Sequence, residues 1–158
     1  MSCSFFYLTF AKRLINSLIY IFIQIILKIG EKVPEFQMLD QNGIQRTNNK
    51  LKSPLVLFFY PKDDTPGCTI EVCGFRDKYD LFKVLGAEVW GVSNGNTASH
   101  LAFANKNKLQ YPLLCDTNDS LRKIFGVPKV LGLLDGRVTY VIDRKGIVRH
   151  IYRDLLNG

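Results

Sequence analysis

Histidine and cysteine are sparse in this sequence: His100 and His150 are the two histidines, and Cys3, Cys68, Cys73 and Cys115 are the four cysteines. Four cysteines without regular spacing make neither a disulfide framework nor a zinc ribbon. They suit a reducing compartment with one reactive pair. Neither histidine stands at a metal-ligand spacing from the other, so the bland reading for both is a surface or packing role, with His100 on an exposed helix and His150 on a hairpin. No glycine-rich phosphate loop appears, and nothing calls for a metal, haem, flavin or nucleotide; no cofactor is expected. Basic residues never run longer than two, and no aromatic stripe is interleaved with arginines. The formal charge of +7 is therefore spread along the chain and implies no nucleic-acid surface.

Acidic residues are also missing from the start of the chain until Glu31. There Lys12 and Arg13 precede Leu14–Leu27, which is apolar except for Asn16, Ser17 and Gln24. The run is short of the roughly 20 apolar residues that a membrane span needs, and no small-x-small cleavage site follows it. Residues 1–29 thus read as a signal peptide or membrane anchor, as an organelle-targeting leader poor in Arg and Ser, or as a dispensable segment. Residues 30–158 read as one domain, with 47% hydrophobic residues in the whole chain sufficient for a sizeable core. The location expected is the cytoplasm or an organelle stroma, with membrane anchoring through Leu14–Leu27 as the alternative.

The chemistry concentrates in Phe58–Phe82, FFYPKDDTPGCTIEVCGFRDKYDLF. An apolar run, Leu55–Tyr60, ends at Pro61. After a polar loop, Thr65 and Pro66 stand as N-cap and first residue of a helix. Cys68 then falls in the first turn, where unpaired N–H groups and the positive end of the helix dipole favour a thiolate. Asp63, Asp64 and Glu71 oppose that charge, so the site needs a cation, and Lys62, Arg76 and Arg137 are the candidates.

The spacing Pro61, Thr65, Cys68 fits P-x-x-x-T-x-x-C, and the chain resembles the peroxiredoxins. It is most similar to the peroxiredoxin Q, or bacterioferritin comigratory protein, group. The resemblance runs from about Lys28 to the last residue and includes VPEF, FFYPKDDTPGCT, FGVPK, LGLL, GRVTYVID and VRHIY. It implies Cys68 as peroxidatic nucleophile, Cys73 as resolving cysteine, Thr65 as hydrogen-bond partner of the peroxide, Pro61 as shield of the pocket, and Arg137 as the cation completing the site. The activity implied is reduction of hydrogen peroxide or an organic hydroperoxide, with recycling by a thioredoxin-like reductant and a monomeric protein. Physically, a threonine hydroxyl, helix N–H groups and a guanidinium suffice to align a peroxide and to stabilise the departing oxygen. A sulfenic acid results, which a second thiol can trap as a disulfide.

Cys73 raises a geometric problem. Five residues along an α-helix turn through about 500° and rise about 7.5 Å, placing the Cα atoms roughly 8–9 Å apart on different faces. A disulfide needs them within about 7 Å. The helix must therefore partly unwind for Cys68 and Cys73 to join.

Elsewhere, VPEFQMLDQNG is extended and ends in the turn signal Asn42–Gly43. Leu55–Tyr60 marks a central strand buried on both faces. One helix from Thr65 to a stop at Gly86 would turn Val72, Phe75, Tyr79 and Phe82 to the core. Strands at Glu88–Ser93 and Leu113–Cys115, helices near 97–106 and Ser120–Phe125, and a closing hairpin of Val138–Ile142 and Ile147–Tyr152 through Asp143–Gly146 complete the pattern. The expected class is α/β, a mixed central sheet with helices on both faces. That is the thioredoxin-like fold that the resemblance also implies. The resemblance also implies a further C-terminal helix after DLLNG, which is expected to be missing here, so that one face of the sheet would be less covered.

Three functions fit a reactive cysteine pair: a thiol peroxidase, a thioredoxin-type disulfide oxidoreductase, and a membrane-tethered dithiol metal carrier. The second requires C-x-x-C, whereas the spacing here is C-x-x-x-x-C. The third requires a histidine beside the pair. Cys115 reads as a buried filler, Cys3 as part of the leader, Trp90 as core, and Asp63–Asp64 as a solvated loop.

Overall fold

The computed structural model describes residues 27–154 apart from position 50 and positions 131–133. The expectations for the leader up to position 26, with the membrane contact assigned to the apolar run that ends at Leu27, and for the chain beyond 154 lie outside the described residues. Among the described residues no helix is long and apolar enough to cross a membrane.

A hairpin, β1 (Gln37–Leu39) and β2 (Gln45–Thr47), turns at Asn42–Gly43, as the Asn-Gly signal predicts. Asp40 closes it, its carboxylate accepting from the amides of Asn42 and Ile44. The central sheet has five strands, which lie side by side in the order Leu113–Cys115, Glu88–Ser93, Leu55–Phe59, Arg137–Ile142 and Val148–Asp154. Its strands are β3 (Leu55–Phe59), β4 (Glu88–Ser93), β5 (Leu113–Cys115), β8 (Arg137–Ile142) and β9 (Val148–Asp154). β3, β4 and β5 run parallel, while β8 is antiparallel to β3 and to β9. A short hairpin, β6 (Lys129–Val130) with β7 (Leu134–Asp135), lies before β8 and carried no turn signal strong enough to reveal it.

All of β3 is buried, and its alternation divides the core into two layers. Leu55, Leu57 and Phe59 pack with Leu121 and Phe125 of α4 (Ser120–Phe125), whereas Val56, Phe58 and Tyr60 pack with Val72 and Phe103 on the opposite face. Those two come from α1 (Pro66–Asp77) and α3 (Thr97–Asn107). The expected mixed sheet with helices on both faces is present. Gly91, opposite Phe58 in the ladder, is there for space: a Cβ would lie 2.8 Å from the Phe58 ring and 2.7 Å from Leu113. Trp90 is core, 4% exposed.

The single helix expected from Thr65 to Gly86 is two. α1 ends at Asp77, Lys78 takes φ −103°, ψ 5°, and α2 (Tyr79–Val84) follows. The break is invisible to periodicity because Val72, Phe75, Tyr79 and Phe82 keep helical spacing through it and all pack on the same cluster.

Candidate active site

β3 delivers the chain to Tyr60 and Pro61 at its C-terminal end, where ligand sites of parallel sheets form. Asp64 adopts the left-handed region, φ 58°, and turns the loop toward Thr65, which is the extended N-cap of α1 with Pro66 at the first helical position. The Thr65 side chain makes no capping bond and donates to the Lys62 carbonyl at 3.2 Å. The first hydrogen bond of the helix runs from the Thr69 amide to the Thr65 carbonyl, so the amides of Gly67 and Cys68 belong to the unpaired first turn. Cys68 sits there fully buried.

Arg137 reaches it across the sheet. Phe59 pairs with Val138, so the residue before Val138 lies beside the start of the loop. Its Nη2 donates to Cys68 Sγ at 3.3 Å, and its Nη1 is in a close ion pair with Glu71. Burial disfavours the guanidinium charge, but Cys68 and Glu71 outweigh it, and the group is held above its ordinary value as a permanent cation. Arg76 is occupied elsewhere, with Asp77 at 2.8 Å and the Asn107 carbonyl at 2.9 Å, and Lys62 is exposed. Of the three candidate cations, Arg137 is the one at Cys68.

The acidic residues expected to oppose a thiolate are each engaged by a partner. Glu71 meets Arg137, and Asp64 meets Lys106 at 2.6 Å. Asp63 departs from the solvated loop expected of it, with only 10% of its side chain exposed. Its Oδ1 accepts from the Tyr60 hydroxyl at 2.8 Å and its Oδ2 lies 2.7 Å from His100 Nδ1. Burial, and next the Asp63 charge, push the Tyr60 phenol well above its ordinary value, so Tyr60 keeps its proton and is the donor. His100 Nε2 faces the Leu114 carbonyl at 3.2 Å, which can only accept.

His100 is therefore a correction: it is fully buried, not on an exposed face. His100, Phe103, Ala104 and Asn107 form the buried side of α3 at i, i+3, i+4 and i+7, a core stripe disguised by two polar residues. Gly95 makes room for the ring, since a Cβ there would come within 2.5 Å of it. His150 is exposed, as expected.

Pro61 is half-buried, with its carbonyl accepting from the Ser93 hydroxyl at 3.2 Å. Cys73 is half-buried in the same unbroken α1 as Cys68, its thiol 3.8 Å from Asn107 Oδ1. Asn107 is itself fixed by a bond from Nδ2 to the Phe103 carbonyl, and Tyr111 donates to the Val72 carbonyl, one residue before Cys73, at 2.7 Å. The Cys115 thiol is pushed up to about 11, by burial first and then by the charges of Asp40 and Asp63, as befits an inert filler. Among the described residues no group of three or more His, Cys, Asp or Glu could hold a metal ion. His100 is bound to Asp63 and Leu114 and does not serve the cysteine pair as a metal carrier would require.

Sequence reasoning singled out Cys68 from its place in the helix and, through the family resemblance, Cys73, Thr65, Pro61 and Arg137, and the fold gathers Arg137 and Cys68 in direct contact. It missed Asp63, His100 and Ser93 as supports of the loop. The buried stripe on α3 was the signal that could have found His100.

The chain is similar to known proteins in sequence and in fold. The model of the AhpC/TSA family matches residues 29–151. The chloroplastic peroxiredoxin Q of Triticum aestivum is 49% identical over 127 residues, covering 79% of this chain and 58% of that protein, so the chain spans little more than half the length of this relative. Among solved structures, peroxidoxin BcpB of Mycobacterium tuberculosis superposes with a TM-score of 0.76 at 36% identity, covering 83% of this chain and 88% of that one. Bacterioferritin comigratory protein of Xanthomonas campestris, whose alkyl peroxide reduction activity has been followed in trapped intermediate and ligand complexes, superposes at 0.74 with 29% identity over 84% and 88%. With a family match over most of its length and these likenesses in sequence and fold, the chain belongs to the AhpC/TSA family, in its peroxiredoxin Q group.

Proposed function

We propose that the protein is a thiol-dependent peroxidase. The observation that carries the reading is the Arg137 guanidinium 3.3 Å from a buried sulfur in the first turn of a helix. A fixed cation and helix amides favour the thiolate without having to reorganise during reaction. Cys68 thiolate attacks the terminal oxygen of a hydroperoxide; the O–O bond breaks, and the departing oxygen takes a proton to leave as water or an alcohol. Cys68 becomes a sulfenic acid. Arg137 and the first-turn amides stabilise the charge developing on the leaving oxygen, the Thr65 hydroxyl orients the peroxide, and Pro61 shields the pocket from water.

Cys73 then attacks the sulfenic sulfur, water leaves, and a Cys68–Cys73 disulfide forms. A thioredoxin-like dithiol reduces it and becomes a disulfide itself. Both cysteines lie within one regular helix, with Cα atoms roughly 8–9 Å apart by helix geometry, so α1 unwinds between them before the bond closes. Organic hydroperoxides as well as hydrogen peroxide are the substrates in this reading, supported by the alkyl peroxide reduction described for the Xanthomonas campestris protein. The chloroplastic designation of the wheat relative favours an organelle stroma over the cytoplasm. The protein works as a monomer, which size-exclusion chromatography tests.

The deciding experiment adds one equivalent of hydrogen peroxide to the reduced protein and maps linked cysteines by peptide mass. A Cys68–Cys73 disulfide formed within seconds and reversed by thioredoxin is the expected result. Amide exchange across positions 69–77 that is equally slow in both redox states would sink the unwinding step.

A further inference from the structure

The two segments that carry Pro61 and Arg137 come from different parts of the chain, and a single side chain holds both. Arg122 of α4 is 3% exposed. Its Nη2 donates to the Tyr60 carbonyl at 3.0 Å, the group immediately before Pro61. Its Nη1 donates to the Gly136 carbonyl at 3.0 Å, the group immediately before Arg137. We infer that Arg122 is a positioning residue for the peroxidase reaction, setting the distance between the Arg137 guanidinium and the Cys68 loop.

The surroundings are built for a permanent buried cation. Asp119 and Asp135 each place a carboxylate oxygen 3.9 Å from Arg122 Nε, and the guanidinium lies 5.7 Å from the centre of the Phe59 ring. Asp119 Oδ1 is buried and, among the described residues, has no hydrogen-bond partner, so its role is to balance this charge. The Arg122 amide donates to Asp116 Oδ2 at 2.8 Å, which anchors the residue from its other end. The segment it holds is tight. Gly136 donates to the Pro128 carbonyl at 2.9 Å, and a Cβ on Gly136 would lie 2.4 Å from that oxygen. A planar fork reaches two carbonyls at once, whereas a lysine ammonium is a single point charge on a flexible stem. A displacement of about 1 Å at a catalytic group can cost on the order of 100-fold in rate, so a tie that spans both segments belongs to the active site although it touches no substrate.

This inference rests on the peroxidase reading and is tested together with it by a double-mutant cycle on Arg122→Gln and Arg137→Ala, following the second-order rate of Cys68 oxidation by hydrogen peroxide. Arg122→Gln is expected to lose about tenfold or more in the wild-type background and less than about twofold in the Arg137→Ala background, because a positioning residue has nothing left to position. Arg122→Lys should fall between wild type and Arg122→Gln, and it replaces Arg122→Gln in the cycle if circular dichroism shows that variant unfolded. Equal losses in the two backgrounds would mean a purely structural arginine and overturn the inference, as would a wild-type rate in Arg122→Gln. A wild-type protein inert to peroxide overturns the peroxidase reading and this role with it, whereas a reactive wild type with an additive cycle overturns the positioning role alone.

Discussion

Replacing Arg137 with alanine removes the one cation that, among the described residues, donates a hydrogen bond to Cys68. A hydrogen bond to a charged group contributes about 1.5–3 kcal/mol. With tenfold in rate for each ~1.36 kcal/mol, its loss predicts a fall of about 10- to 150-fold in the second-order rate with peroxide at neutral pH. Arg137→Lys keeps the charge but cannot serve sulfur and carboxylate together, so it should lie between the two. The assay is single-turnover peroxide consumption, with circular dichroism to confirm that both variants fold. A folded Arg137→Ala protein within about threefold of the wild-type rate would refute the assignment, since even the weakest charge-assisted bond is worth more.

Three further outcomes follow from the geometry. His100→Ala removes one partner from a largely buried Asp63 and the partner of the Leu114 carbonyl, and should cost about 1–3 kcal/mol in urea denaturation, the usual loss when a buried polar group is left unsatisfied; a cost below about 0.5 kcal/mol would contradict these buried hydrogen bonds. Tyr111→Phe deletes the bond to the Val72 carbonyl, worth about 1 kcal/mol, and should speed disulfide closure after Cys68 oxidation about fivefold by easing the opening of α1; an unchanged closure rate would place the unwinding elsewhere. The Cys115 thiol is raised from 9.0 to about 11, so the unfolded chain releases its proton first as pH climbs. The stability it contributes is whole below about pH 9 and is lost as pH rises through about 11, so the advantage of wild type over Cys115→Ala in thermal melts should shrink across that window. A constant difference between the two melts would contradict the raised thiol.

The local features were legible because each is written by neighbouring residues. Thr65-Pro66 ahead of an apolar stripe marks a helix start, Asn42-Gly43 marks a turn, and the unbroken apolar run at Leu55 marks a strand covered on both faces. Those signals alone put Cys68 in the first turn of a helix at the end of a central strand. The break at Lys78 was not legible, because both helices face one cluster and keep one period. The β6–β7 hairpin was hidden for a different reason: two-residue strands are too short to alternate.

What tertiary structure decided was who stands next to whom. Lys62, Arg76 and Arg137 are equivalent as charges in a sequence, and the antiparallel register of β3 with β8 is what brings Arg137 to the sulfur while Asn107 and Asp77 hold Arg76 away. Likewise Asp63 reads as a loop carboxylate and His100 as a polar helix residue until α3 packs on the sheet and turns one onto the other. Hydrogen-bonding capacity belongs to a residue type and is therefore visible in the chain. Partnership across 37 or 69 positions depends on how the layers pack, and no local pattern encodes it.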